Sequence, residues 1–145
     1  MPHLTLPISS AGCSLDVYVG GSDPRRDALR VANLAIPPLI AARMIIDTGA
    51  SCTAIQETIL KSLGLTPTGT SQILTPSSKG APITCATYDV LLSVYHEKHP
   101  LVLGTVAVIG SDFSGQGIDG LIGRDVLQEC LMIYDGTAGT FSLAF

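Results

Sequence analysis

The chain has 145 residues, of which 46% are hydrophobic and 14% are charged, and its formal net charge at pH 7 is −4. This length suffices for one domain with its own core and is too short for a two-lobed enzyme, so we expect residues 1–145 to form a single domain. The acidic balance, without a basic cluster, argues against nucleic-acid binding and gives no attraction to anionic membranes.

The first half of the predicted elements leads to a buried strand. Leu15, Val17 and Val19 alternate with polar residues, which predicts a half-buried strand ended by two glycines. Asp23 before Pro24 predicts an N-cap and a short helix over about residues 23–34, which we interpret as an insertion. The apolar run 39–46 then predicts a buried strand.

The second half is dominated by predicted strands. Residues 57–63 predict a helical turn, and residues 71–95 predict a long hairpin around the turn-forming segment 76–82. Further elements are expected as a strand at 101–109, a short helix at 124–130, and strands at 131–134 and 140–145 around a turn. The tip of the hairpin has little apolar content, so we expect it to be mobile.

Two motifs carry the candidate chemistry. In Ile45-Ile46-Asp47-Thr48-Gly49-Ala50-Ser51, an apolar strand delivers one carboxylate onto a tight turn. Further along, Leu121-Ile122-Gly123-Arg124-Asp125 joins an apolar segment to a short helical pattern through a glycine. Asp-Thr-Gly alone suits any surface turn, so the ordered pair of motifs is the informative feature.

This pair resembles the retropepsin-like aspartic proteases of retroviral type, whose subunits each carry one Asp-Thr-Gly-Ala loop followed, across a flap hairpin, by an apolar-apolar-Gly-Arg-Asp/Asn motif. The resemblance covers about residues 34–145 and favours a bacterial-type member. It implies an all-β fold, namely a closed β-barrel with a flap hairpin and one or two short helices.

The resemblance also implies roles for individual residues. Asp47 is expected to be the catalytic carboxylate, Thr48 to brace two such loops against each other, and Gly49 to let the backbone approach the substrate. The expected substrate-binding residues are Ala50, Ser51, Ser78, Lys79, Gly80, Ile118, Asp119 and Leu121. Gly123, Arg124 and Asp125 form the expected structural motif.

One carboxylate does not complete such a site. Peptide hydrolysis by carboxylates needs an ionised group to activate water and a protonated group to polarise the carbonyl. The chain has a single Asp-Thr-Gly, so we expect a homodimer in which Asp47 of each subunit forms the catalytic dyad of an endopeptidase acting on peptides or proteins. The alternatives are a catalytically silent dimerisation or peptide-binding module, and an unrelated β-rich domain.

The sequence departs from the retroviral pattern at Ser51, where those enzymes have an acid. The partner of Arg124 is therefore open between Asp125, Asp119 and a carbonyl. At the chain end, Phe141, Leu143 and Phe145 share one face of a predicted strand, and we expect this apolar stripe in the dimer interface. The competing interpretation is a strand that closes its own subunit's sheet.

The N-terminal residues, the length of the apolar runs and the spacing of the cysteines indicate the compartment and the need for cofactors. The N-terminus lacks the charged and then apolar segments of a secretory signal, and no apolar run is long enough to cross a bilayer. Cys13, Cys52, Cys85 and Cys130 are scattered without a Cys-x-x-Cys pair, which favours buried reduced thiols over disulfides or zinc. We therefore expect a cytoplasmic protein without metal or cofactor.

Overall fold

A computed structural model describes residues 1–145, and its main feature is a closed barrel of six strands. Around the barrel the strands are β2 (Ser14–Gly21), β3 (Ile40–Ile46), β8 (Gly120–Ile122), β4 (Ala54–Gln56), β7 (Leu101–Ser111) and β6 (Ile83–Val94). Pairing between β2 and β6 closes the circle. The predicted all-β barrel is confirmed.

Alternation along the strands fills the barrel. The residues of β2 and β3 that point inward, including Val17, Val19 and Met44, have no exposed surface. β6 adds Tyr88 and Val90 to the same core. Burial of these aliphatic and aromatic side chains is the main stabilising term, at about 1.5–3 kcal/mol for each large side chain.

A second sheet of three strands packs its inner face onto this core. It consists of β1 (His3–Pro7), β10 (Thr140–Ala144) and β9 (Leu131–Asp135), with β10 in the centre. The expectation that the stripe of Phe141, Leu143 and Phe145 is left for a partner is wrong, because Phe141 and Leu143 are buried in the chain's own core and Phe145 is half-buried against it. The competing interpretation, that the strand closes its own subunit's sheet, is confirmed.

Three short α-helices lie outside the barrel, one at each segment for which the sequence pattern predicted helical structure, whereas the resemblance implied one or two. They are α1 (Asp23–Val31), α2 (Glu57–Ser62) and α3 (Arg124–Leu127). Ser22, rather than Asp23, occupies the N-cap of α1, and no residue of this helix is buried. α3 ends earlier than residue 130, the predicted end. Each helix is too short or too polar to serve as a membrane span.

The predicted long hairpin is also present. It joins β5 (Gly69–Ile73) to β6, and a 3₁₀ turn at Pro76–Ser78 occupies its tip. The four cysteines are free thiols, but only Cys13 is buried, so the expectation of buried thiols is wrong for the other three, which are half-buried. Burial raises the pKa of the Cys13 and Cys130 thiols.

Candidate active site

The loop after β3 holds Asp47 by its backbone and its side chain. The Asp47 N–H donates to the carbonyl of Ile122 at 2.9 Å, which ties the start of the loop to β8. The Gly49 N–H donates to Oδ1 of Asp47 at 2.9 Å, and the Ala50 N–H donates to the Asp47 carbonyl at 3.1 Å. The carboxylate is half-buried and oriented, as a reactive group must be.

Parallel pairing of β3 with β8 brings the two sequence motifs together. Ile45 lies beside Leu121 and Ile46 beside Ile122. From there Arg124 reaches back to the Asp47 loop, donating from its backbone N–H to the Ala50 carbonyl and from Nη1 to the Thr48 carbonyl, both at 2.9 Å. Among the partners left open by the sequence, the structure selects a carbonyl, so Arg124 fixes the far side of the loop.

Thr53 is a site residue that sequence reasoning missed. Its hydroxyl donates to Oδ1 of Asp125 at 2.8 Å and accepts from the Gly123 N–H at 3.0 Å, while its own N–H donates to Oδ2 of Asp125 at 2.9 Å. Thr53 has no exposed surface. A polar residue beside the apolar pair Ala54-Ile55 was the available signal, because a buried hydroxyl requires partners.

Gly123 is required by close packing at the crossing of the two motifs. A Cβ at this position would lie 2.6 Å from the carbonyl carbon and 2.7 Å from the carbonyl oxygen of Cys52. Backbone atoms have little room to move, so only glycine fits here. The predicted structural motif of Gly123, Arg124 and Asp125 therefore serves to lock the Asp47 loop.

Asp119 acts in the structure as a tie between segments. Its carboxylate accepts from the Arg43 N–H at 2.8 Å, and its backbone exchanges further hydrogen bonds with Arg43 and Gln56, both at 2.7 Å. Asp119 and Ile118 also line an open cavity of about 310 Å³ that no residue of 47–51 borders. Asp119 thus connects the loop before β8 with β3 and β4.

The hairpin and the Asp47 loop both contribute side chains to one apolar cluster. Buried Ala54, Ile109 and Phe113 form the centre of this second cluster. Half-buried side chains pack against these three residues. They are Ile73 and Cys85 from the hairpin, Cys52 from the Asp47 loop, and Ile118 and Leu121 from the segment before Gly123. The cluster therefore connects the part of the hairpin next to its tip with the chain segments around Asp47.

The predicted substrate-binding residues are distributed over this region. Ser51 is exposed, with its hydroxyl 3.6 Å from Sγ of Cys52, and Ala50 is half-buried. At the hairpin tip Ser78 is half-buried, and Lys79 and Gly80 are exposed. None of the three hydrogen-bonds to the Asp47 loop within one subunit.

A family model described as aspartyl protease matches residues 39–126, which is more than half of the chain. The chain belongs to the aspartyl protease family. The matched range begins just before β3 and ends in α3, so it contains the Asp47 loop, the hairpin and the Gly123 motif. The general activity that follows is that of an aspartic protease. A comparison with curated protein sequences finds no match.

Solved structures agree on the fold. A retropepsin-like aspartic protease from Rickettsia conorii superposes with a TM-score of 0.56 at 16% identity, covering 99% of this chain and 91% of that chain. An aspartic proteinase from Irpex lacteus gives a TM-score of 0.56 at 18% identity and covers 99% of this chain but 47% of that chain. The chain thus spans about half the length of the Irpex enzyme, and the retropepsin-like fold is established.

Proposed function

We propose that this protein is an aspartic endopeptidase that acts as a homodimer, with Asp47 of each subunit forming the catalytic dyad. The observation that carries the proposal is the Asp47 loop. Its single carboxylate is oriented by the Gly49 N–H at 2.9 Å, and Arg124 fixes the loop from the other side, again at 2.9 Å. A loop fixed by hydrogen bonds on both sides is more typical of a catalytic site than of an ordinary surface turn.

The mechanism needs two such carboxylates. Two carboxyl groups about 3 Å apart cannot both be ionised, because the two negative charges repel each other, so the pair shares one proton. The catalytic aspartates of aspartic proteases are a well-known example of this effect. In the proposed dimer one Asp47 takes a proton from water, and the protonated partner hydrogen-bonds the carbonyl oxygen of the scissile peptide. Water then attacks the carbonyl carbon, and a proton passes to the departing amine.

The hairpin of β5 and β6 is proposed as the flap over the substrate. Support comes from the second apolar cluster, in which Ile73 and Cys85 of the hairpin pack on the same buried residues as Cys52 and Leu121. Exposed Leu74 and Ile83, beside the tip, add apolar surface that a bound peptide would cover.

The outer face of the three-stranded sheet is proposed as the contact with the second subunit. Two large apolar side chains lie exposed on it, Leu131 at 54% and Ile133 at 56%. The end of this sheet formed by the last residues of β1 is also connected to the strand that precedes the Asp47 loop. Beyond β1, the Ile8 N–H bonds to Gly139 at 2.9 Å, and a few residues later the Cys13 carbonyl accepts from the Ile46 N–H at 2.8 Å. Pairing at this sheet would therefore bring two Asp47 loops towards one axis.

Cleavage of a peptide library at several acidic pH values tests the proposed activity. Pepstatin should inhibit it, and Asp47→Asn should abolish it without unfolding the protein, because asparagine retains an oxygen for the Gly49 N–H. Asp27→Asn, on the exposed helix α1, is the matched control and should remain active. A folded protein that binds peptides but never cleaves them would instead favour the silent binding module.

Mixing subunits tests the shared dyad. When equal amounts of wild-type and Asp47→Asn protein exchange subunits freely, about one quarter of all dimers carry two aspartates, so the activity of the added wild-type protein should fall to about half. If each subunit worked alone, the wild-type activity would be unaffected by the added variant. That result would refute the homodimeric dyad.

A further inference from the structure

The tip of the hairpin is held in a defined shape by its own hydrogen bonds. Ser78 Oγ donates to the Thr75 carbonyl at 2.7 Å and accepts from the Thr75 N–H at 3.1 Å. The Ser78 N–H donates to the Thr75 carbonyl and the Ala81 N–H donates to the Ser78 carbonyl, both at 2.9 Å. The backbone that carries the next residue, Lys79, is therefore fixed relative to the hairpin.

Lys79 adopts a backbone conformation that lysine rarely takes. Its φ is +49°, and Asn33 is the other non-glycine residue of the chain with a positive φ. Asparagine tolerates the left-handed region, whereas a long side chain is held there at a cost. Such outliers are concentrated at ligand clamps, which makes the tip a place to look for recognition.

Lys79 is also an exposed charge without an ion-pair partner at the tip of the proposed flap. It is the single charged residue between positions 69 and 87. Of the other charged groups around the cleft, Asp119 accepts from the Arg43 backbone at 2.8 Å and Arg124 donates to Thr48 at 2.9 Å. The ion pairs of the structure are Arg30–Asp27, Arg43–Asp16 and Lys61–Glu57, so the Lys79 ammonium has no partner.

We propose that Lys79 selects peptide substrates that carry a carboxylate side chain near the scissile bond. The inference rests on the proposed function, in which the hairpin closes over the peptide. An exposed lysine changes affinity for an anion only a few-fold, but exclusion of water beneath a closed hairpin strengthens the attraction. We expect a preference of about tenfold in kcat/KM.

The test uses matched peptides that contain glutamate or glutamine at one position at a time on either side of the cleaved bond. The measurement is made near pH 6, where a free glutamate is ionised. Wild-type protein should prefer the glutamate peptide by about tenfold at one position, mainly through KM, and the preference should shrink as ionic strength rises. Lys79→Gln should remove the preference and Lys79→Arg should retain it.

Lys98→Gln, in the exposed loop between β6 and β7, changes the net charge equally and should keep the glutamate preference. Equal cleavage of both peptides by the wild type at every position, or a Lys79→Gln variant that keeps the preference, overturns the inference while the protease function stands. Failure of the wild type to cleave any peptide refutes the proposed function itself. The ionic-strength series reports on the wild type even if a tip variant folds poorly.

Discussion

At the scale of single residues, Thr53 links the two motifs of the site through one buried hydroxyl. Thr53→Val keeps the shape but leaves the Gly123 N–H without its acceptor and leaves Oδ1 of Asp125 with the Val126 N–H alone. Buried groups that lose their partners destabilise a protein, so we expect unfolding free energy to fall by about 2–4 kcal/mol, measured by urea denaturation. Thr53→Ser retains the hydroxyl and should lose less, and Thr70→Val on exposed β5 should change little. Equal stability of Thr53→Val and wild type would contradict the role of this hydroxyl.

Asp112 gives a residue-scale prediction of pH dependence. The Ser114 hydroxyl, then the Ser114 N–H and the Gln56 amide, lower the pKa of the Asp112 carboxyl. The folded pKa lies below the ordinary value of about 3.9, so above that pH the ionised carboxylate keeps its hydrogen bonds to Ser114 and Gln56. The stability that these hydrogen bonds contribute is lost as the pH falls through the folded pKa. The Ser114 amide resonance should therefore titrate below about pH 4. Asp112→Asn should remove that titration, and an unaltered Ser114 response in this variant would disprove the assignment.

At the scale of elements, the hairpin tip contains hydrogen bonds of its own, and its predicted mobility can be measured by amide exchange. Ser78→Ala removes both hydrogen bonds between the Ser78 hydroxyl and Thr75. We expect amide exchange across residues 77–81 to become about five- to thirtyfold faster, since each of the two bonds is worth about 0.5–1 kcal/mol. Ser71→Ala in β5, whose hydroxyl forms no hydrogen bond, is the control. Pepstatin should slow exchange at the tip of the wild type, and a tip that pepstatin leaves unaffected would place the flap elsewhere.

The elements also show which parts of the fold the sequence can predict. Alternation identified β2, which has one face in the barrel core, while a continuous apolar run identified β3 and turn-forming residues identified the hairpin. β1 escaped notice, since prolines at both of its ends interrupt a short alternating run. The stripe of β10 was assigned to the wrong neighbour. Alternation reports that one face is buried, but whether the cover is the same chain or a partner depends on tertiary packing.

The same limit applied to the site. Short motifs predicted Asp47 and Gly123, because turn chemistry and tight packing restrict the residue type at each position. The carbonyl partner of Arg124 and the Thr53–Asp125 pair depend on β3, β4 and β8 meeting in one sheet, which local sequence does not encode. The hydrogen bond between the Asp119 carboxylate and the Arg43 N–H likewise joins residues that are distant in the sequence.

At the scale of the whole molecule, the apolar composition and the single carboxylate of the Asp47 loop both favour the proposed homodimer. The mean hydropathy is +0.44, which is high for a soluble monomer of this size, and the sheet of β1, β10 and β9 leaves apolar surface on its outer face. By register, His3, Ala144 and Leu131 form one row across this face, and Thr5, Ser142 and Ile133 form the next. Small side chains in the central strand leave an open depression of about 250 Å³ between the rows.

Ile133→Asp tests this face as the contact with the second subunit. The side chain is 56% exposed, so the fold should tolerate the change, while two aspartates facing each other across a dimer axis would repel and lose apolar contact. We expect dissociation into monomers in sedimentation analysis at low protein concentration and a specific activity that falls steeply on dilution. Val31→Asp places the same charge on helix α1 at an 88% exposed position and should leave both measurements as in the wild type. If Ile133→Asp remained dimeric and fully active at the lowest concentration, a different surface would have to bring the two Asp47 carboxylates together.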